Sequence, residues 1–101
     1  MADTILIDPL GRQIVLHDRT WDGHIAQAHP EVATYRDLAE RAVRQPDEIR
    51  ISNSNPDCRI YYGHGPRQSV IIMVVANIVE CVVKTAHLAR KVTGGAQEWS
   101  K

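Results

Sequence analysis

The chain has no phenylalanine; two tryptophans and three tyrosines are its only aromatic residues. It also has no net charge: twelve Lys and Arg stand against twelve Asp and Glu. The molecule as a whole therefore offers no basic field to draw in a polyanion. Cys58 and Cys81 are too few and too far apart for a zinc site or a disulfide framework. The start, Met-Ala-Asp-Thr, lacks a basic segment ahead of an apolar run, so no signal peptide is expected and a reducing cytoplasm is the expected compartment. The longest apolar run, Val70 to Ala86, is broken by Asn77, Glu80 and Lys84. A membrane-spanning helix needs about 20 nearly uncharged residues, so no membrane partner is expected. Repeats and low-complexity tracts are missing as well.

What is present suits one small domain. The chain has 101 residues, 44% of them hydrophobic, enough for a core but not for a second domain. The charge is unevenly divided. Residues 1–48 carry nine acids against five arginines, a balance of −4, and residues 49–101 carry seven Lys and Arg against three acids, a balance of +4. A basic C-terminal half can present a local anion-binding face, or it can pair with the acidic half inside a neutral domain.

The stretch Thr20 to Glu31 concentrates a tryptophan, two histidines and a proline. Asp18 and Thr20 are both suitable N-caps, and Trp21, Ile25 and Ala28 fall at the i, i+4, i+7 spacing of a buried helical stripe. His24 and His29 lie five residues apart, so at ~100° per residue their rings project about 140° apart. They cannot share a ligand from one helix face, which argues against a two-histidine metal site. Pro30 makes His29 the expected last residue of the helix.

Before this helix, Thr4 to Ile7 and Gln13 to Leu16 are short β-rich runs. Asp8-Pro9-Leu10-Gly11 between them carries the type I turn signature, so residues 1–17 read as an N-terminal hairpin. A second helix is expected from Thr34, which caps it with Asp37 in a capping-box position, to the stop at Gln45-Pro46-Asp47. Beyond it four strands are expected: residues 49–52, 59–62, 68–76 and 80–87, with a short helix at 88–92. The unbroken apolar character of 68–76 marks a central strand covered on both faces. Helices followed by strands imply an α+β fold, here an N-terminal β-hairpin and two helices packed on a four-stranded antiparallel sheet.

Five histidines, at positions 17, 24, 29, 64 and 87, supply groups that titrate near neutral pH. Metal-independent phosphodiester cleavage needs a base for the 2′-hydroxyl, an acid for the leaving oxygen and a cation for the developing charge. His24 is a base or acid on the first helix. Tyr62, Lys84 and Thr85 stand on strands, and Arg50 and Arg59 are cations nearby in sequence. Taken singly, each has an ordinary structural explanation: a histidine beside a tryptophan is commonly packed, one of Tyr61 and Tyr62 belongs in the core, and Lys84 suits a solvated face. Gly63-His64-Gly65-Pro66 is a turn rather than a phosphate-binding loop, and no spacing recommends a metal at His64 and His87. No cofactor motif is present.

The ordered set Trp21-x-x-His24-Ile25-x-x-x-His29-Pro30-Glu31, Gln45-Pro46-Asp47-Glu48-Ile49, Tyr61-Tyr62, Val82-Val83-Lys84-Thr85-Ala86 and Trp99 resembles phage and bacterial nuclease-like domains of the barnase–EndoU–colicin–RelE superfamily. The resemblance covers about residues 18–100 of a single nuclease-like domain. It implies two helices on a four-stranded antiparallel sheet, metal-independent RNA cleavage, and a place in toxin–antitoxin, phage or conflict systems with an antitoxin or immunity protein as partner. It makes His24 the helix-borne catalytic histidine and Thr85 the polar residue at a strand end, with Tyr62 and Lys84 on the same sheet face. His87 departs from the family pattern and adds either a second imidazole or nothing; we group it with Arg50 and Arg59 as substrate-binding. The first reading is thus a metal-independent ribonuclease acting on RNA. The alternative is a non-catalytic RNA-binding or protein-interaction module on the same fold, which the neutral overall charge favours. A homodimer joined through an exposed sheet edge is a third reading.

Overall fold

The computed structural model describes residues 3–101; Met1 and Ala2, part of the expected N-terminal segment, lie outside the described residues. The hairpin forms where the turn signature places it. Strands β1 (Thr4–Ile7) and β2 (Gln13–Leu16) pair antiparallel, with Thr4 opposite Leu16, and the Gly11 amide donates to the Asp8 carbonyl at 2.9 Å. Gly11 has φ +84°, a left-handed conformation that glycine adopts without steric cost. Leu6, Ile14 and Leu16 face the core, whereas Ile5 and Ile7 alternate outward.

The first helix, α1, covers residues 18–28, but it is not regular. Asp18–Thr20 and Ala26–Ala28 are α-helical, and Trp21–Ile25 between them form a π-helical turn in which the Ala26 amide donates to the Trp21 carbonyl, five residues back. The extra residue in that turn changes the stripe. Trp21 and Ile25 are buried as expected, but Ala28 is exposed, and neither Asp18 nor Thr20 caps the helix with its side chain. Pro30 ends it, and Pro30–Val32 make a single 3₁₀ turn. Helix α2 (Arg36–Arg44) starts later than Thr34, with Tyr35 at its N-cap and no side-chain cap. Ala39, Ala42 and Val43 form its buried stripe, and the expected Arg36–Glu40 pair is made at 3.0 Å.

Strands β3 (Glu48–Ile51), β4 (Cys58–His64), β5 (Ile71–Asn77) and β6 (Val82–Ala89) form the expected antiparallel meander. The four-stranded antiparallel sheet is nevertheless incorrect. The sheet has seven strands in the order β1-β2-β6-β5-β4-β3-β7, it is mixed, and it curls into a half-barrel. Two connections account for the difference. The hairpin joins β6 through one parallel pair, Val15 opposite Val82, with the Val15 amide donating to the Cys81 carbonyl at 2.8 Å. The tail adds β7 (Gln97–Ser100), antiparallel to β3. The expected helix at 88–92 is not formed, because β6 continues through Ala89. Glu80, expected in a strand, lies in a turn where the Asn77 side-chain oxygen accepts from the amides of Val79 and Glu80, both at 2.9 Å.

Both helices pack on one face of the sheet, over Ile49, Tyr61, Ile72, Val74, Ala76, Val83 and Ala86. Gly63 permits this approach: a Cβ there would stand 2.9 Å from the Ala42 Cβ. The opposite face holds Ile60, Tyr62 and Met73, packed with Val92 of the segment joining β6 to β7. Strand β5 is thus buried on both faces.

A polar network draws the hairpin turn to the far edge of the curl. One oxygen of the buried Asp8 carboxylate accepts from the Leu10 and Arg12 amides at 2.9 and 2.8 Å, and the other from Arg12 Nε at 2.7 Å and the Tyr61 hydroxyl at 2.6 Å. Arg12 also donates twice to Glu98 on β7, at 3.1 and 2.6 Å, and Arg59 Nε donates to the same carboxylate at 2.8 Å. Burial opposes ionisation of Asp8, but the hydrogen bonds from Tyr61 and Arg12 outweigh it and lower its pKa. Burial and the neighbouring carboxylate raise that of Tyr61. Buried charges persist where their hydrogen-bonding capacity is filled, as it is here. Among the described residues, no helix is long and apolar enough to cross a membrane.

Candidate active site

The hairpin register places residue 3 across from residue 17, one step beyond the Thr4–Leu16 pair. The Asp3 carboxylate uses both oxygens there. Oδ2 meets His17 Nδ1 at 2.7 Å, and Oδ1 accepts from the Asp18 amide at 2.9 Å, which satisfies a free donor at the start of α1. The hydrogen bond from His17, then that from the Asp18 amide, lowers the Asp3 pKa. An ionised carboxylate only accepts, so Nδ1 of His17 carries the proton and Nε2 is left as the free nitrogen. This is the arrangement in which a carboxylate fixes the tautomer and orientation of an imidazole base.

The parallel join of β2 to β6 sets the end of one strand beside the start of the other. A shallow cleft of about 290 Å³ opens there, lined by His17, Thr20, His24, Val82, Val83 and Lys84. His24 enters from the π turn of α1, on the side away from Trp21 and Ile25, and is exposed. Such turns insert one residue into a helix and re-aim the side chains that follow. Lys84 enters from a β-bulge: Val75 pairs with Thr85 and Ala76 with Val83, so Lys84 is the extra residue. Its ammonium donates to Glu80 Oε1 at 3.0 Å, and both side chains are about half exposed, so this pair holds Lys84 only weakly. His17, His24 and Lys84 thus line one cleft, with the His17 imidazole held by a carboxylate.

Of the four residues expected to be catalytic, the structure brings His24 and Lys84 together and separates the other two. Thr85, opposite Val75, and Tyr62, in the second apolar cluster, belong to the face of the sheet turned away from the helices. Tyr62 is also buried, and its hydroxyl donates to the Thr93 carbonyl. Neither reaches the His24 cleft.

The three expected substrate-binding residues lie elsewhere too. Arg50 Nε donates to Glu48 at 2.6 Å and its Nη1 to the Gly95 carbonyl at 3.3 Å, which ties down the tail segment. Arg59 is spent on Glu98 and on the Pro56 and Cys58 carbonyls. His87 sits beside His29, ring centroids 5.2 Å apart, with its Nδ1 buried and unpartnered among the described residues. Burial first, and the neighbouring His29 second, lower the His87 pKa, while Glu31 pulls it the other way.

Asp3 and His17 are the residues that sequence reasoning missed. The signal was in the turn: once Asp8-Pro9-Leu10-Gly11 fixes the hairpin register, Asp3 falls opposite His17. Among the described residues, no group of three or more His, Cys, Asp and Glu is arranged to hold a metal ion. In comparisons with known proteins, no family model, curated protein or solved structure matches this chain.

Proposed function

We propose that the chain is a metal-independent ribonuclease whose working groups are His17, His24 and Lys84. The observation that carries this reading is that two histidines and a lysine line one cleft, with the His17 imidazole fixed by Asp3 at 2.7 Å. In the forward step His17 Nε2 takes the proton of a ribose 2′-hydroxyl, and the 2′-oxygen attacks the adjacent phosphorus. His24, in its protonated form, gives a proton to the departing 5′-oxygen as the phosphorus–oxygen bond breaks. Lys84 leaves Glu80 and offsets the charge that builds on the phosphoryl oxygens. The products are a 2′,3′-cyclic phosphate and a free 5′-hydroxyl. Acid–base groups of this kind contribute roughly 100- to 10,000-fold each.

The cleft is open and shallow, which suits a single strand rather than a small molecule enclosed on all sides. RNA is the substrate, because the attacking oxygen is the 2′-hydroxyl that DNA lacks. The family resemblance adds a toxin or phage-associated setting in the cytoplasm, with a protein inhibitor as partner. The test is digestion of a single-stranded RNA in EDTA beside the same strand with 2′-deoxy sugars. The expected result is cleavage of the ribose strand alone, with cyclic phosphate ends. Cleavage of both strands, or of neither, would refute the reading; RNA retained on the protein but left intact would support the non-catalytic binding module in its place.

A further inference from the structure

A second cleft, of about 420 Å³, lies where the C-terminal turn of α2 meets the end of β4 and the end of β7. It is a different place from the histidine cleft and does not depend on the nuclease reading. His64 of this cleft pairs with Ile71, the first residue of β5, and Val82 of the other pairs with Asn77, the last. At ~3.3 Å per residue the two clefts stand roughly 20 Å apart along β5.

The wall of the second cleft is apolar, with Leu38, Ala42, Pro46, Gly63 and the half-buried Trp99. Its rim carries three cations and one carboxylate, Asp47. Arg41 and Arg44 project from the same side of α2, Lys101 comes from the tail after β7, and His64 ends β4. The two arginines are poorly neutralised. Arg41 makes no ion pair among the described residues, and the nearest carboxylate to Arg44 is Glu40 at 3.9 Å, already bound by Arg36. Lys101 and His64 share one carboxylate, Asp47, at 3.0 and 3.7 Å. The helix macrodipole explains cations in the last turn of α2. It does not explain two more basic groups brought to the same rim from β4 and the tail after β7. A mostly apolar concavity of a few hundred Å³ with a few convergent charged groups has the form of a small-ligand site, and is too small for a folded partner.

We propose that this cleft binds a small planar anion: an aromatic or heteroaromatic ring bearing a phosphate or carboxylate. The ring lies against Trp99 and Leu38, and the anionic group is held by Arg41, Arg44 and Lys101. Guanidinium forks are the donors best matched to both oxyanions.

The test is calorimetric titration of the whole chain with 1-naphthyl phosphate, with adenosine monophosphate and with inorganic phosphate. The expected result is saturable one-to-one binding of at least one ring-bearing anion, at least about tenfold tighter than inorganic phosphate. Binding of the nucleotide alone would identify a nucleobase-reading site, and binding of both an unselective aromatic-anion site; either supports the proposal. Arg41→Ala with Arg44→Ala should weaken binding by about tenfold or more. Both arginines are exposed, so circular dichroism should show the double variant folded; if it does not, Lys101→Ala, also at an exposed side chain, gives the same comparison. Absence of binding by both ring-bearing anions, equal affinity for inorganic phosphate, or full affinity in the folded variants would overturn the proposal.

Discussion

Replacing Tyr61 by Phe removes one atom from the polar network that joins the hairpin turn to the sheet. The ring keeps its place among Ile49, Ile72 and Val74, so the perturbation is confined to the hydroxyl. That hydroxyl donates at 2.6 Å to Asp8 Oδ2, and the Asp8 side chain is 0% exposed. A hydrogen bond to an ionised group is worth about 1.5–3 kcal/mol. Asp8 keeps three other donors, so a loss of about 2 kcal/mol, in the lower half of that range, is expected. For a domain of this size each kcal/mol shifts the melting temperature by roughly 4–8 °C, so Tm should fall by roughly 8–16 °C. Urea unfolding at neutral pH measures the same loss directly.

The pH dependence separates this bond from simple packing. The folded pKa of Asp8 lies below its ordinary 3.8, so its contribution is complete above that value and is lost as pH falls through the folded pKa. The penalty for Tyr61→Phe should therefore shrink in strong acid, where Asp8 is protonated and its bond to Tyr61 becomes a neutral one. A neutral-pH penalty below about 0.5 kcal/mol, the level of an ordinary surface change, would refute the reasoning. So would a penalty equal at both pH values.

Two further outcomes follow from the geometry around β4 and β6. Gly63→Ala would set a Cβ 2.9 Å from the Ala42 Cβ and 3.1 Å from its Cα, so α2 must move off the sheet; a cost of about 1–3 kcal/mol in chemical denaturation is expected. His87 has a folded pKa below its ordinary 6.5, so stability should be level above that value and fall as pH drops through the folded pKa. His87→Gln should flatten that acid limb in urea midpoints measured between neutral pH and about pH 5.

Local signals in the sequence were strong where one stretch decided its own structure. The Asp-Pro-Leu-Gly turn made the hairpin legible, Pro30 ended α1, and the apolar–polar alternation of Ile49-Arg50-Ile51-Ser52 marked β3. The apolar run before Asn77 marked a doubly covered strand. The seven-stranded sheet was not legible, because its extra connections are nonlocal and small. One residue pair, Val15 with Val82, attaches the hairpin, and Gln97 to Ser100 has no β-branched residue to mark β7. The π turn has no sequence signature either, and it is what moves Ala28 out of the buried stripe.

For the candidate site, helical geometry separated His24 from His29, and the structure sets His24 beside Lys84 and His29 beside His87. Strand parity could have warned against Thr85. It lies one residue from Ala86 on β6, so if Ala86 faces the helices Thr85 cannot. Nothing within β2 or α1 marks His17, because its partner Asp3 lies across the hairpin.

The most direct test of the proposed chemistry is the metal-free RNA cleavage rate of His17→Ala, His24→Ala and the double variant, all checked for folding. If the two imidazoles act as one acid–base unit, each single variant loses roughly 100- to 10,000-fold and the double variant loses little more than either. Cleavage by folded single variants at the wild-type rate would contradict the account.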